Sequence, residues 1–559
     1  MSRHTYIPKT VACFLLFTAV SATAGDLPSN WIPQISPLKE YRPIGASGNN
    51  LKNPRLNPVP GTPEIALTPL NFAGPHNQPV SGPNARYISN QISGGTGANG
   101  QDSQTTDPTA SAWIYVFGQF LDHDIDLEAT PLTNDAINIR VPPGDLIFPA
   151  GGTIAMNRST RSPVTNTIIN TTAGYLDLSQ LYGSDAVTAA SLRESDGTLK
   201  TSYNGTALPI VNGVFVTGDP RVMENPELTA TTILFMREHN FWVGTLKTQH
   251  PGWSGDQLYN MAKAITTGEY QNIVYKEFLP ILIGPVLGPY QGYDPSINAQ
   301  ATQEFSTAAF RVGHSQISGT QEGIDNSGAV VFTQSLAEAF FNTPALDMTH
   351  GIDPLLRNIG TDFSQATDPY AVPELRNLLF AGLVGGGVDL VDLIAIDIQR
   401  QRDVGLGTLN QTRAALGLSR YRSWPDLTPD VTLQINLAKV YGNNGIDKVD
   451  LFIGGLAESH ASGALVGPTF QAIIADQFQA LRAGDRFFWP NEGFDQQTAR
   501  MIGNTTLADL LRRNTATPNL QANVFLQADL PPHVRHHATA PAMIDTHGIR
   551  TRAFGDDGT

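Results

Sequence analysis

The run Phe117-Gly118-Gln119-Phe120-Leu121-Asp122-His123-Asp124-Ile125-Asp126 carries three polar residues at helical spacing. Gln119, Asp122 and His123 stand at i, i+3 and i+4, so a helix here puts an amide, a carboxyl and an imidazole on one face. Trp113, Phe117 and Phe120 supply an apolar stripe beside them. Burying such a polar face is costly unless each group finds a partner. A lone histidine is more often structural, but three polar groups side by side point to a site. The imidazole is the group suited to moving protons near neutral pH. Further on, Gly218-Asp219-Pro220-Arg221-Val222-Met223-Glu224-Asn225-Pro226-Glu227-Leu228 holds an arginine three residues before a glutamate. Read alone, Arg221 and Glu224 form a local ion pair of little worth.

Together the two segments resemble the distal side of the animal-type haem peroxidases, the peroxidase–cyclooxygenase superfamily. The resemblance implies that His123 takes a proton from hydrogen peroxide and returns it to the departing oxygen. It implies that Arg221 stabilises negative charge as the O–O bond breaks, and that Gln119 holds a distal water or a halide. Asp122 and Glu224 fill the positions from which family members tie haem b to the protein through esters, so covalent attachment is expected. Asn225 occupies the position where a further sulfonium link in the family requires methionine, so that link is excluded.

Ala308-Ala309-Phe310-Arg311-Val312-Gly313-His314-Ser315 resembles the proximal segment. It makes His314 the axial iron ligand that a haem peroxidase needs and sets Arg311 against a haem propionate. The cyclooxygenases and related fatty-acid dioxygenases carry a radical-forming tyrosine at the position of Arg311, and no tyrosine lies near it in this segment. A peroxidase is therefore expected over a dioxygenase. Ile396-Asp397-Ile398-Gln399-Arg400-Gln401-Arg402-Asp403-Val404-Gly405 resembles the segment that partners the other ring nitrogen of the ligand. Asp397 stands where mammalian members have asparagine. A carboxylate accepts more strongly, which predicts a lower iron potential. Arg400 is a further candidate for a propionate contact.

Ala173-Gly174-Tyr175-Leu176-Asp177-Leu178-Ser179 resembles the family's Ca2+ loop. Asp124, Asp177, the Ser179 hydroxyl and the carbonyls of Ala173 and Tyr175 would supply the hard oxygen ligands that calcium requires. Threonine is usual at Ala173. Losing its hydroxyl weakens the site unless a water or Thr172 takes its place. The alternative is a solvated turn, since Asp and Ser are ordinary turn residues.

Weaker family-like segments are Tyr41-Arg42-Pro43-Ile44 with Asn49-Asn50, Pro83 to Asn90, Asp485 to Trp489, and Leu511 to Thr515. The implied activity is reduction of hydrogen peroxide with oxidation of a small donor: iodide, bromide, thiocyanate or a phenol. Two other readings compete. One is a fatty-acid dioxygenase. The other is an adhesion protein on the same scaffold, against which the sequence has no Arg-Gly-Asp tripeptide.

The elements that must hold these groups are mainly helical. Apolar spacing predicts helices over 111–123, 226–247, 255–276, 333–341, 373–380, 389–400, 431–440, 468–483 and 496–513. The second is the clearest, with Asn225 as N-cap, Pro226 at the first helical position and Glu227 at the positive end of the dipole. Strand signals are few and short. The expected fold class is mainly α, an animal haem peroxidase-like helical fold with long loops and little β. The 52 glycines and 39 prolines among 559 residues exceed their usual combined share of about 12%, which fits long connections.

Residues 1–24 read as a secretory signal: Arg3, His4 and Lys9, an apolar Val11–Val20, then Ala22-Thr23-Ala24. Its apolar stretch is too short to span a bilayer. The reading then divides the chain into an N-terminal wrapping arm at 25–108, a catalytic domain at 109–530 and a flexible tail at 531–559. The single cysteine, Cys13, lies in the leader, which leaves no disulfide or thiolate metal site in the mature chain. A large exported domain can do without disulfides because it buries enough core. A formal charge of −15 argues against nucleic acid or an anionic membrane as partner. Secretion or a periplasmic location is expected.

Overall fold

The computed structural model describes residues 31–94, 106–129, 135–340, 351–377 and 391–527. The expected leader at 1–24 with Cys13 and the expected tail at 531–559 lie outside them. The chain is mostly helical, and the described strands form only two-stranded antiparallel sheets.

Helix α1 (Trp113–Ile125) crosses the centre of the core. Apolar residues surround it on most sides. Phe117 and Phe120 pack into Phe235, Tyr270 and Phe278, with Phe120 stacked on Phe235 at a centroid distance of 4.8 Å. Such pairs add about 0.5–1.5 kcal/mol each beyond their burial, so the helix that carries the polar triad is held rigidly.

Helix α2 (Pro226–Gln249) starts where the sequence places it: the Asn225 side chain accepts from Leu228 N, and Pro226 occupies the first turn. Thr229, Thr231 and Thr232 would weaken an exposed helix. Here each hydroxyl donates to the carbonyl four residues back, so the buried side chains are satisfied. Helix α3 (Gly255–Ile273) opens with a Ser254–Gln257 capping box and runs into a π turn, Val274–Phe278, three residues short of the expected regular helix.

Helix α4 (Leu393–Asp403) begins later than the pattern suggests, because Asp392 caps it by accepting from Ala395 N. Residues 389–390 and 378–380 of the expected helices fall outside the described region, leaving Pro373–Arg376 of the latter. The segment 333–341 is corrected. Val330–Ser335 is a strand paired with Thr320–Ile324, and only Leu336–Ala339 is helical. Its β-branched and aromatic residues fit a half-exposed pleat better than a helix. Val431–Tyr441 and helix α5 (Pro468–Ala483) match the expectation. The expected 496–513 helix is two, Gln496–Asn504 and Leu507–Asn514, divided by the new cap at Thr506.

The N-terminal residues bond far along the chain. Buried Arg42 donates to Asp485 Oδ2 at 2.6 Å and to Phe487 O at 2.7 Å, and Asn49 reaches the other Asp485 oxygen at 2.7 Å. Arg86 is buried against Asp392 and Asn377. These bonds join the weaker sequence segments to one another.

Candidate active site

The polar triad of α1 opens into a cavity of about 330 Å³, within the size range of cofactor sites. The loop before α2 adds Arg221, Glu224 and Asn225. From the opposite part of the chain come Arg311 and His314, and Phe278, Leu282, Phe310, Ile317 and Leu393 supply apolar wall. A larger cavity of about 440 Å³ beside Tyr293, Asn298 and Asp476 has no histidine or arginine in its lining.

On the distal side Gln119 Nε2 donates to Glu224 Oε2 at 2.9 Å, and His123 Nε2 lies 3.5 Å from the same oxygen. Asn225 Nδ2 donates to Gln119 Oε1 at 2.7 Å. Burial alone would raise the Glu224 carboxyl, but the hydrogen bond and charge of His123, with Arg221, hold it below its usual range. Asp122 goes the other way: burial and the neighbouring Asp126 push it up to about 6. Arg221 does not form the local pair with Glu224 that its spacing allows. Asp219 takes Arg221 Nε and a terminal nitrogen at 2.7–3.3 Å, and Asp126 O accepts at 2.7 Å. The guanidinium is thereby fixed at the cavity wall, with Glu224 and Asp122 as further nearby anions.

On the proximal side His314 Nδ1 lies 2.7 Å from Asp397 Oδ2. Arg311 donates to Asp397 Oδ1 at 2.6 Å and to Ser306 O at 3.0 Å. Asp397 is fully buried. Burial would raise it, yet His314 and Arg311 hold it below the usual carboxylate range. The buried anion makes His314 Nδ1 the protonated nitrogen and leaves Nε2 with its lone pair as the available ligand atom. An imidazole held this way, in a cavity with apolar walls and polar ends, fits haem. Arg311 lines the cavity, although two of its nitrogens are already engaged. Arg400 is corrected: it does not line the cavity, and its guanidinium bonds Ser159 Oγ, Asn157 O and Asp403.

Behind His123 the two candidate calcium carboxylates are buried. Asp124 accepts from Leu178 N, Ser179 N and Ser179 Oγ at 2.6–3.0 Å. Asp177 Oδ1 is buried with no hydrogen-bond partner. Leu178, between Asp177 and Ser179, is left-handed at φ 59°, a conformation costly for leucine and held by the loop's bonds. Burial and the charge of Asp177 push Asp124 well above the carboxylate range, while Lys263 and Arg42 oppose the rise at Asp177. The Thr172 hydroxyl lies 3.1 Å from Ser179 Oγ and 2.9 Å from Ser184 Oγ, beside the candidate ligands. Among the described residues no cluster of three or more His, Cys, Asp or Glu is arranged to hold a metal. Asp124 of α1 and Asp177 of the loop are the two carboxylates here, with hydroxyl and carbonyl oxygens of the loop as the other donors.

A profile of the family described as Animal haem peroxidase matches residues 41–525. The chain belongs to that family. The enzyme is a haem peroxidase, and its relatives agree. It is 31% identical over 529 residues to Peroxinectin A of Dictyostelium discoideum, covering 88% of this chain and 96% of the relative. The structure of Peroxidase A from Dictyostelium discoideum superposes with a TM-score of 0.77 at 29% identity, over 87% of this chain and 99% of that one. A fatty acid alpha-dioxygenase of Arabidopsis thaliana shares the fold, with a TM-score of 0.73 at 18% identity over 89% and 87% of the two chains.

Several groups of the peroxidase site escape a reading of the sequence. Asp219 is the partner of Arg221, and the Asp-Pro-Arg order was a usable signal, because Asp219 caps the short turn Pro220–Met223. The Arg311–Asp397 bond spans 86 positions and left no local trace. Tyr115 also lines the cavity, from the distal helix. No helix of the described residues is long and apolar enough to cross a membrane.

Proposed function

We propose that this haem peroxidase reduces hydrogen peroxide and oxidises iodide, bromide, thiocyanate or phenols. The observation that carries the reading is His123 and His314 lining one cavity, with His314 Nδ1 engaged by buried Asp397. His314 Nε2 would hold haem iron, and the bound haem supplies the electrons that peroxide reduction consumes and draws them back from the donor. His123 accepts the proton of one peroxide oxygen and delivers it to the other, which leaves as water. Arg221, fixed by Asp219, stabilises the negative charge on the departing oxygen. Gln119 holds the donor anion or a water. Asp122 and Glu224 both line the cavity, which supports them as ester positions. Export is part of the reading, on the leader-like residues 1–24.

Arg311, at the position of the dioxygenase tyrosine, is bonded to Asp397 and Ser306. Stopped-flow mixing of the ferric enzyme with peroxide, then with a panel of halides, thiocyanate and phenols, tests the function. Spectral oxidation by peroxide followed by return with iodide, bromide, thiocyanate or phenols is expected. Oxygen uptake with a polyunsaturated fatty acid and no peroxide-driven spectral change would sink it.

Chloride should be a poor donor. Asn225 removes the sulfonium link, and Asp397 makes His314 a stronger electron donor than an amide partner would. Arg311 shares the carboxylate, so less of its charge reaches His314 than the sequence alone implies. Asp397→Asn should raise the iron potential by on the order of 50 mV, as expected for weakening one charge-assisted hydrogen bond. Spectroelectrochemistry showing no upward shift would refute that role.

Calcium bound by Asp124, Asp177, the Ser179 hydroxyl and the Ala173 and Tyr175 carbonyls would neutralise the buried acid pair and set the backbone next to His123. The unpartnered Asp177 Oδ1 supports this. Calcium at 100 times its Kd stabilises by about 2.7 kcal/mol. Chelation should therefore lower both the melting temperature and the rate with peroxide, and adding calcium back should restore both. Unchanged melting after exhaustive chelation would count against the site.

A further inference from the structure

We infer that Asn225 is a positioning residue: through one side-chain amide it caps α2 and fixes the orientation of Gln119, so that an anion in the distal pocket meets N–H rather than a carbonyl lone pair. This rests on the reading of Gln119 as the group that holds the anion.

The orientation follows from one unambiguous donor. Leu228 N is a backbone N–H and donates at 2.9 Å to the Asn225 side chain, so the atom it meets must be Oδ1. The other arm of Asn225 is then Nδ2, which can only donate. Its partner in Gln119, at 2.7 Å, must therefore be Oε1. That leaves Gln119 Nε2 facing Glu224 Oε2 at 2.9 Å, an acceptor, and the three assignments agree. Turning the Gln119 amide over would set NH2 against NH2 and C=O against a carboxylate. Both bonds would be lost and both contacts made repulsive, in a region where Asn225 is 2% exposed.

The clamp has a chemical consequence. Glu224 Oε2 is also the oxygen 3.5 Å from His123 Nε2, so the nitrogen edge of Gln119 lies on the histidine side. One of its two hydrogens is committed to Glu224. The second remains a donor, while the lone pairs of Oε1 are turned away onto Asn225. A halide or thiocyanate beside Gln119 is stabilised by such a donor and repelled by a carbonyl oxygen. Should Glu224 become an ester, its carbonyl oxygen still accepts and the orientation is unchanged.

Two replacements keep the helix cap and change the clamp. Serine and aspartate are both good N-caps. Asn225→Ser retains an acceptor for Leu228 N but loses the carboxamide NH2, leaving Gln119 free to turn. Asn225→Asp offers only oxygen to Gln119, so either orientation of the amide sets its carbonyl against one carboxylate and the preference for the original orientation is lost. Fluoride titration of the ferric holoenzyme, read at the Soret band, is the measurement, with carbon monoxide affinity of the ferrous form as a neutral control and Gln119→Ala alongside. Fluoride binding should weaken several-fold in Asn225→Ser and by about tenfold or more in Asn225→Asp, the scale of one charge-assisted hydrogen bond. The serine variant is neutral, so its loss cannot come from added charge. Carbon monoxide affinity should move by less than about twofold in it, and melting temperatures should stay close to wild type. Wild-type fluoride affinity in both Asn225 variants, with Gln119→Ala weakened, would overturn the clamp and leave the distal reading standing. Equal loss of fluoride and carbon monoxide in the serine variant would reduce Asn225 to a structural residue. Unchanged affinity in Gln119→Ala would overturn the reading of Gln119, and the clamp with it.

Discussion

A His123→Ala enzyme should bind haem and keep its melting temperature, yet react with hydrogen peroxide about 10²–10⁴ times more slowly, the range for removing a positioned general acid–base group. The residue sits on α1, which Phe120 and Phe235 hold in place, and its imidazole lies 3.5 Å from Glu224 in the cavity. Removing it therefore disturbs little besides proton transfer. The loss should appear in the second-order rate constant for peroxide, measured by stopped flow, and not in the later reaction with the donor. Arg221→Ala should slow the same step by a different route, since it removes the cation and leaves buried Asp219 unpaired. A His123→Ala protein that meets peroxide at the wild-type rate would remove the acid–base role from this residue.

Replacing His314 with alanine should cost the enzyme its haem. With Nε2 gone, His123 is the other histidine among the described residues that line the cavity, and it belongs to the segment of α1. The variant should purify with roughly a tenth or less of the wild-type Soret absorbance per protein, since ligand loss exceeds the tenfold or larger effect of losing a supporting partner. Asp397 also loses one of its two partners while buried, keeping Arg311 alone, and a broken buried pair costs about 3–5 kcal/mol. Lower thermal stability should therefore accompany the missing haem even when wild type is compared in its haem-free form. Addition of millimolar imidazole should recover part of the Soret band by filling the vacated space. Full haem content with an unchanged spectrum would show that iron is held elsewhere.

His123 was legible from spacing, whereas His314 was found only through the resemblance of its segment to a family. The distal triad stood out because i, i+3 and i+4 on one helix is a local relation that needs no tertiary information. The start of α2 was legible for the same reason: Asn225, Pro226 and Glu227 act on the turn they belong to. Errors arose where a local preference met a distant one. Residues 330–335 are a strand because a partner at 320–324 is available. Arg400 lies one helical turn from Asp397, yet Ser159 and Asn157 hold it outside the cavity.

What the sequence determined by itself was a mainly α chain, the polar face of Gln119, Asp122 and His123 on one helix, and the capped start of α2. Tertiary structure decided which charge faces which. Arg311 meets Asp397 across 86 positions, Arg42 meets Asp485 across 443, and Asp219 rather than Glu224 holds Arg221. The physical reason is range. Helix periodicity and capping act within a few residues, whereas the cost of a buried charge depends on every group packed around it, and chain folding alone brings those groups within reach.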